Sequence, residues 1–298
     1  MENKKKHFYD LYELTTDIDA IQKYSKDTQD KTCRLCGKSY PETTFKTVPH
    51  IIPELFGRNT YTSNIECDNC NILFARTETD LATFISPFTT LLKMRTKKGI
   101  PIYKSRKDNR DKKATTAKIA GDQRTFYIEE ASDFKIDRKL KEATFTVRRQ
   151  KANRLHIYKS FAKIGIMLMP ENDITNYREF IDWLIGVNES YNKIPLLISR
   201  NILLKKYYKT PSAELYKIKD SAISNLCVRP QYCLVLRAAN LIFQLYYPMY
   251  IGYDPKAKLD LELLPDVIVH NGSAMYKIFD LANKKQSLDE VIKFSFDN

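Results

Sequence analysis

Four cysteines in two short pairs, Cys33-Arg34-Leu35-Cys36 and Cys67-Asp68-Asn69-Cys70, set the tightest constraint on how this 298-residue chain folds. A CxxC turn aims two thiolates at one point, and two such turns complete a tetrahedral shell around a metal ion. The N-terminus is Lys-rich and runs directly into Phe8-Tyr9-Asp10, with no apolar signal-peptide stretch. Without an oxidising route, the paired spacing predicts a closed, structural Zn²⁺ site of Cys33, Cys36, Cys67 and Cys70 rather than disulfides, in a cytoplasmic protein. Gly37, directly after the first pair, suits the tight turn such a knuckle requires. Cys227 and Cys233 lie in a hydrophobic, strand-like region and read as small core residues.

Thirty residues separate the two pairs, more than the ~15–20 of a plain zinc ribbon. The insert alternates as a short strand at Phe45-Lys46-Thr47-Val48 and ends at Pro49-His50. Ile51-Ile52-Pro53-Glu54 follows, then a polar loop through Gly57, Asn59 and Asn64, then a second short strand before Cys67. Beyond Asn71, apolar residues at Leu81, Phe84, Ile85 and Phe88 recur with a helical period.

This order of knuckle, His-Ile-Ile-Pro, Asn, knuckle, Asn and helix resembles the HNH endonucleases, the zinc-stapled branch of the ββα-metal (His-Me finger) nucleases. The resemblance covers roughly residues 31–88 and implies a metal-dependent phosphodiester hydrolase. On that footing His50 is the general base, since an imidazole titrating near ~6.5 can take a proton from water at neutral pH. Asn64 matches the middle residue that orients the histidine, with Asn59 as its competitor. Asn71 matches the ligand of a catalytic divalent ion, for which Mg²⁺ suits an oxygen-donor shell. Many relatives carry Asp immediately before the histidine as a second ligand; here that position is Pro49. Either another acid, such as Glu54 or Asp68, takes that role, or the ion is held by fewer protein ligands.

Charge points the same way. The chain carries +13, and two blocks hold the whole excess: Met94 to Lys118, with ten basic residues against two acidic, and Arg138 to Lys159, with eight against one. Clustered Lys and Arg release counterions from phosphates, so DNA is the expected partner, with RNA the alternative polyanion. No stretch of about 20 apolar residues predicts a membrane span.

Further along, Thr125–Glu129 and Ala143–Arg149 alternate as strands, 159–169 reads as a buried helix, and Phe180, Ile181, Leu184 and Ile185 mark another. Tyr232–Arg237 and Leu241–Tyr247 read as an antiparallel hairpin, with Tyr246, Tyr247, Tyr250 and Tyr253 expected mainly in a strand-rich core. The fold class is α+β: an appended helical leader over 1–30, the nuclease finger over 31–90, a basic linker or arm over 91–120, and an α+β domain over 121–298 that could recognise a target, a partner or a ligand. Two functions from different classes follow: an HNH endonuclease acting on DNA in bacterial restriction or antiphage defence, and a non-catalytic zinc-dependent nucleic-acid-binding protein. A finger with one centre cuts one strand per visit, so double-strand cleavage implies a homodimer. A nuclease silent until its C-terminal part meets an activating partner is a further form of the first reading.

Overall fold

The computed structural model describes residues 7–20, 31–96, 99–107, 114–120, 123–128, 133–203, 206–223, 228–248, 250–251, 259, 261–264 and 275–295. In chain order these contain helix α1 (His7–Leu11), strand β1 (Tyr12–Asp17) and the long helix α2 (Asp68–Leu91). Short strands β2 (Tyr103–Lys104), β3 (Thr116–Ala120), β4 (Gln123–Tyr127), β5 (Phe134–Asp137) and β6 (Glu142–Val147) come next. Helices α3 (Arg154–Leu168), α4 (Glu171–Ile174) and α5 (Arg178–Leu184) lead into β7 (Leu197–Ile202) and β8 (Tyr208–Ile218). Then follow β9 (Arg229–Pro230), β10 (Tyr232–Ala239), β11 (Leu241–Tyr246), β12 (Tyr250–Ile251), β13 (Met275–Asp280) and β14 (Glu290–Ser295). The class is α+β, and among the described residues no helix is long and apolar enough to cross a membrane.

The largest sheet has six antiparallel strands in the order β1-β8-β10-β11-β7-β13. Its centre is the hairpin expected from the sequence: β10 and β11 pair from Cys233 with Tyr246 to Ala238 with Leu241. Ala239 takes φ 51° at the turn, and the Asn240 amide donates to the carbonyls of Leu203 (3.0 Å) and Lys206 (2.7 Å). Tyr246 and Tyr247 are fully buried and pack the core; Tyr253 lies outside the described residues.

The expected helical leader takes a different form. Its described part is one helical turn followed by β1, which pairs with β8. The segment Tyr12-Glu13-Leu14-Thr15-Thr16 is aromatic and β-branched, favouring an edge strand, and stacking of Phe8 on Tyr12 at 4.9 Å fixes the turn against it.

Helix α3 lies in the centre. Asn153 caps it by accepting the Leu155 N–H at 3.0 Å, and every residue from Ser160 to Leu168 is buried. One side meets β8 and β10, the other α2. Helix α2 turns Phe74, Thr77, Leu81, Phe84, Ile85 and Phe88 inward at helical spacing. Phe56, Phe161 and Phe243 make a ring cluster with centroids 5.0–5.9 Å apart. It joins the loop after His50, helix α3 and the large sheet into one hydrophobic core.

Candidate metal centre and histidine site

The first knuckle is a hydrogen-bonded turn: the Gly37 N–H donates to the Cys33 carbonyl and the Cys33 N–H to the Lys38 carbonyl, both at 2.8 Å. Gly37 sits at φ +71°, in the left-handed region that a residue without Cβ enters most easily. The second knuckle runs into α2, with Cys67 as the residue before its first turn. The two are tied by the Arg34 N–H on the Ile65 carbonyl (2.9 Å) and by the Cys67 N–H on Cys33 Sγ (3.4 Å).

The four sulfurs lie within 4.8 Å of one another, with Cys33–Cys70 at 3.8 Å and Cys36–Cys67 at 3.7 Å. A tetrahedral zinc with bonds of about 2.3 Å needs sulfurs about 3.8 Å apart, so the quartet could bind zinc. The hydrogen bond with Cys70 brings the Cys33 thiol down to about 5, while burial pushes Cys36 up to about 11. Four crowded thiols cannot all ionise alone; a bound divalent cation would supply the missing charge. Cys233 is fully buried, accepts from the Gln244 amide at 3.2 Å, and is a core residue. Cys227 lies outside the described residues.

Between the knuckles, two extended segments pair across His50 and Thr62. The Ile51 N–H donates to the Tyr61 carbonyl (2.9 Å) and the Ser63 N–H to the Pro49 carbonyl (2.8 Å). Ile51, Ile52 and Phe56 are buried and clamp this segment to the core, which leaves the imidazole only 26% exposed at its rim.

Asn59 organises the site. Its Nδ2 donates to the carbonyls of Ile52 and Gly57, both at 3.1 Å. That orientation points Oδ1 at the Tyr61 N–H (3.2 Å) and at His50 Nδ1 (3.3 Å). A carboxamide oxygen only accepts, so Nδ1–H is the donor, and in the neutral imidazole the lone pair is then on Nε2. Nε2 faces Glu54 Oε1 at 3.7 Å, too far for a direct hydrogen bond. Asn64 occupies a different place, beyond the Ser63–Pro49 pairing on the turn that enters the second knuckle.

The two remaining candidates sit at the start of α2. Asn71 Nδ2 donates to Thr47 Oγ1 at 3.3 Å. Asp68 accepts from the Lys46 N–H (3.0 Å), the Thr47 N–H (2.9 Å), and the hydroxyls of Thr47 and Thr44. Burial opposes its ionisation, but the bonds from Thr44 and Thr47 outweigh it and hold the carboxyl well below the usual range. Asp68 therefore fastens the 44–47 loop to the helix.

Two residues that sequence reasoning passed over stand behind the histidine. Lys163 of α3 is only 2% exposed and reaches Glu66 Oε1 at 2.9 Å and Glu78 Oε1 at 3.9 Å. Its ammonium also lies 5.2 Å from the centre of the Phe74 ring. Burial pushes Glu66 up to about 7 and raises Glu78, with Lys163 pulling both back and His50 contributing at Glu78. Both signals are visible in hindsight: Glu78 is two helical turns from Asn71, on the same face, and Lys163 is the one charge in an apolar run from Phe161 to Met169.

Residues 33–81 match the family model described as HNH endonuclease. No curated protein and no solved structure gives a significant match.

Proposed function

We propose that this chain is a metal-dependent HNH endonuclease that hydrolyses DNA phosphodiester bonds, and that the paired segments around His50 with helix α2 form its ββα-metal finger. The observation that carries the reading is the imidazole between the two knuckles, its Nδ1 held by Asn59 and its Nε2 lone pair turned toward Glu54. His50 Nε2 takes a proton from the attacking water, and Asn59 keeps the ring in the tautomer that can do so. In this role Asn59 replaces Asn64. Because Pro49 brings no side-chain donor and Asp68 is committed to the 44–47 loop, Glu54 and the Asn71 carboxamide oxygen are the donors we assign to Mg²⁺ or another divalent ion. When bound, such an ion offsets charge on the scissile phosphate and the leaving oxygen. Zinc in the Cys₄ shell has no open position and serves to fix the start of α2 against the histidine segment. The setting in bacterial restriction or antiphage defence, in the cytoplasm, rests on the family resemblance alone. One centre cuts one strand, so a double-strand break calls for a second copy.

The test is nicking of supercoiled plasmid with Mg²⁺, Mn²⁺ or EDTA, with zinc content measured on every variant. His50→Ala should lose about 10²–10⁴-fold in rate, and Asn59→Ala at least tenfold, while Asn64→Ala stays near wild type. Equal nicking by wild type and His50→Ala, both zinc-loaded, overturns the assignment. DNA binding without nicking by any of them favours a zinc-dependent binding protein.

A further inference from the structure

The basic block from Arg138 to Lys159 is one feature in the sequence and two in space. Arg148 pairs with Asp133 at 2.9 Å. Arg149 is 1% exposed and is bound to Glu290 and the carbonyls of Phe84 and Leu288. Arg154 donates to the carbonyls of Asn283 and Gln286, and Lys159 to that of Trp183. These four cations hold the fold together and offer little to a ligand. Of the remaining four, Lys151 is exposed just before α3, and Arg138, Lys139 and Lys141 lie within four residues at the tip of the β5–β6 hairpin, all exposed. Between them stands Leu140, 66% exposed, with Ile136 on the same hairpin at 54%.

The tip is built. Asp137 Oδ1 accepts the N–H groups of Lys139 (2.9 Å) and Leu140 (3.0 Å), and Lys141 adopts φ 52°. Below it, Ala143, Phe145 and Val147 are buried, and β6 pairs along its length with β14. There Glu290 binds both Arg149 and Arg200, and Arg149 Nε donates to the Phe84 carbonyl of α2 at 2.7 Å. The hairpin is thus fastened to the helix whose first turn carries Asn71.

We propose that the β5–β6 hairpin docks in the minor groove of duplex DNA, with Arg138, Lys139 and Lys141 on the flanking phosphates and Leu140 as an apolar wedge against the base edges. A large exposed side chain flanked by cations on a stiff turn fits the chemistry of groove insertion, where an apolar wedge unstacks a step while basic groups bind the backbone. Asp137 is held in the turn and pairs in register with Glu142 at its base, so past that pair the loop itself carries three cations and no acidic residue. The inference rests on the nucleic-acid part of the reading above and not on catalysis.

It is tested with full-length protein carrying His50→Ala, binding a fluorescein-labelled 25-base-pair DNA duplex over a salt series. Zinc content and melting temperature are checked on each variant. The triple variant Arg138→Ala/Lys139→Ala/Lys141→Ala should reduce the log–log salt slope by about 2.7, so that wild-type affinity falls about 40-fold more than the variant's between 50 and 200 mM salt. Leu140→Ala should keep the slope, weaken binding about tenfold, and reduce the DNA bend measured by energy transfer between end labels. An unchanged salt slope in the folded triple variant overturns the proposal, even if the wild-type parent nicks plasmid. Equal hairpin dependence with an RNA duplex, whose minor groove is wide and shallow, overturns the minor-groove assignment. Hairpin-dependent DNA binding by a protein whose wild type never nicks supports it while leaving the catalytic reading without support.

Discussion

Replacing Lys163 with methionine removes the ammonium that lies 2.9 Å from Glu66 and 3.9 Å from Glu78, and leaves the hydrocarbon volume nearly unchanged. Glu66 has no exposed surface and lies next to Cys67. Breaking a buried ion pair by removing one partner costs about 3–5 kcal/mol, because the other charge stays desolvated. For a chain of 298 residues at about 2.1 cal/mol/K per residue, the unfolding entropy is about 0.6 kcal/mol/K, so the melting temperature should fall by about 5–8 °C. Calorimetry at pH 8 keeps Glu66, raised to about 7, ionised in the wild type. Adding Glu66→Gln to Lys163→Met should restore at least half of the loss, because the orphaned charge is then gone. Zinc content gives a local readout, since the strained carboxylate adjoins the second knuckle. A single variant that melts within 1 °C of wild type, or a double variant no better than the single, refutes the reasoning.

Three further variants have defined outcomes. Glu54→Gln should raise the Mg²⁺ concentration for half-maximal nicking about tenfold, the loss of one charged ligand. Asp68→Asn should leave that concentration alone and lower the melting temperature by loosening the 44–47 loop; the reverse pattern would exchange the two roles. A Cβ at Gly165 would lie 2.0 Å from the Tyr247 hydroxyl, which donates to the Ala162 carbonyl at 2.7 Å. Gly165→Ala should therefore cost about 3 kcal/mol, overpacking and an unmet buried hydroxyl outweighing about 1 kcal/mol of helix propensity. Calorimetry in a Tyr247→Phe background should show a smaller loss, and a stabilised Gly165→Ala would contradict the packing.

What the sequence discloses is governed by how local its cause is. The cysteine quartet is legible because thiolates serving one ion must come in closely spaced pairs, and α2 because its buried face repeats within a single helix. The β10–β11 hairpin is legible too, since two apolar runs joined by Ala238-Ala239-Asn240 have few other ways to pair. The neighbour of the histidine ring is less so: Asn59 and Asn64 are the same side chain five positions apart, and only the folded loop brings Asn59 Oδ1 to 3.3 Å from His50 Nδ1. Nothing local marks β1 as the edge of a sheet completed by β8, some 200 residues later, or Arg149 as a buried strut rather than a contact for phosphate.

The same distinction bears on how the histidine site depends on the rest of the chain. Arg34, inside the first knuckle, donates to the carbonyls of Ile166 and Met169 at the end of α3 and reaches Glu171 at 2.6 Å. Phe56, two residues after Glu54, packs on Phe161 and Phe243, and Lys163 stands behind Glu66 and Glu78. Each of these contacts joins a residue before position 90 to one after position 154. A zinc-stapled turn by itself buries too little apolar surface to fix an imidazole within tenths of an ångström, and here that rigidity comes from α3 and the large sheet. A ligand or partner that shifted α3 would therefore move Arg34 and Lys163 together, and through them both the knuckles and the groups facing His50. Such a shift gives the silent-until-activated form of the nuclease a physical route through packed side chains.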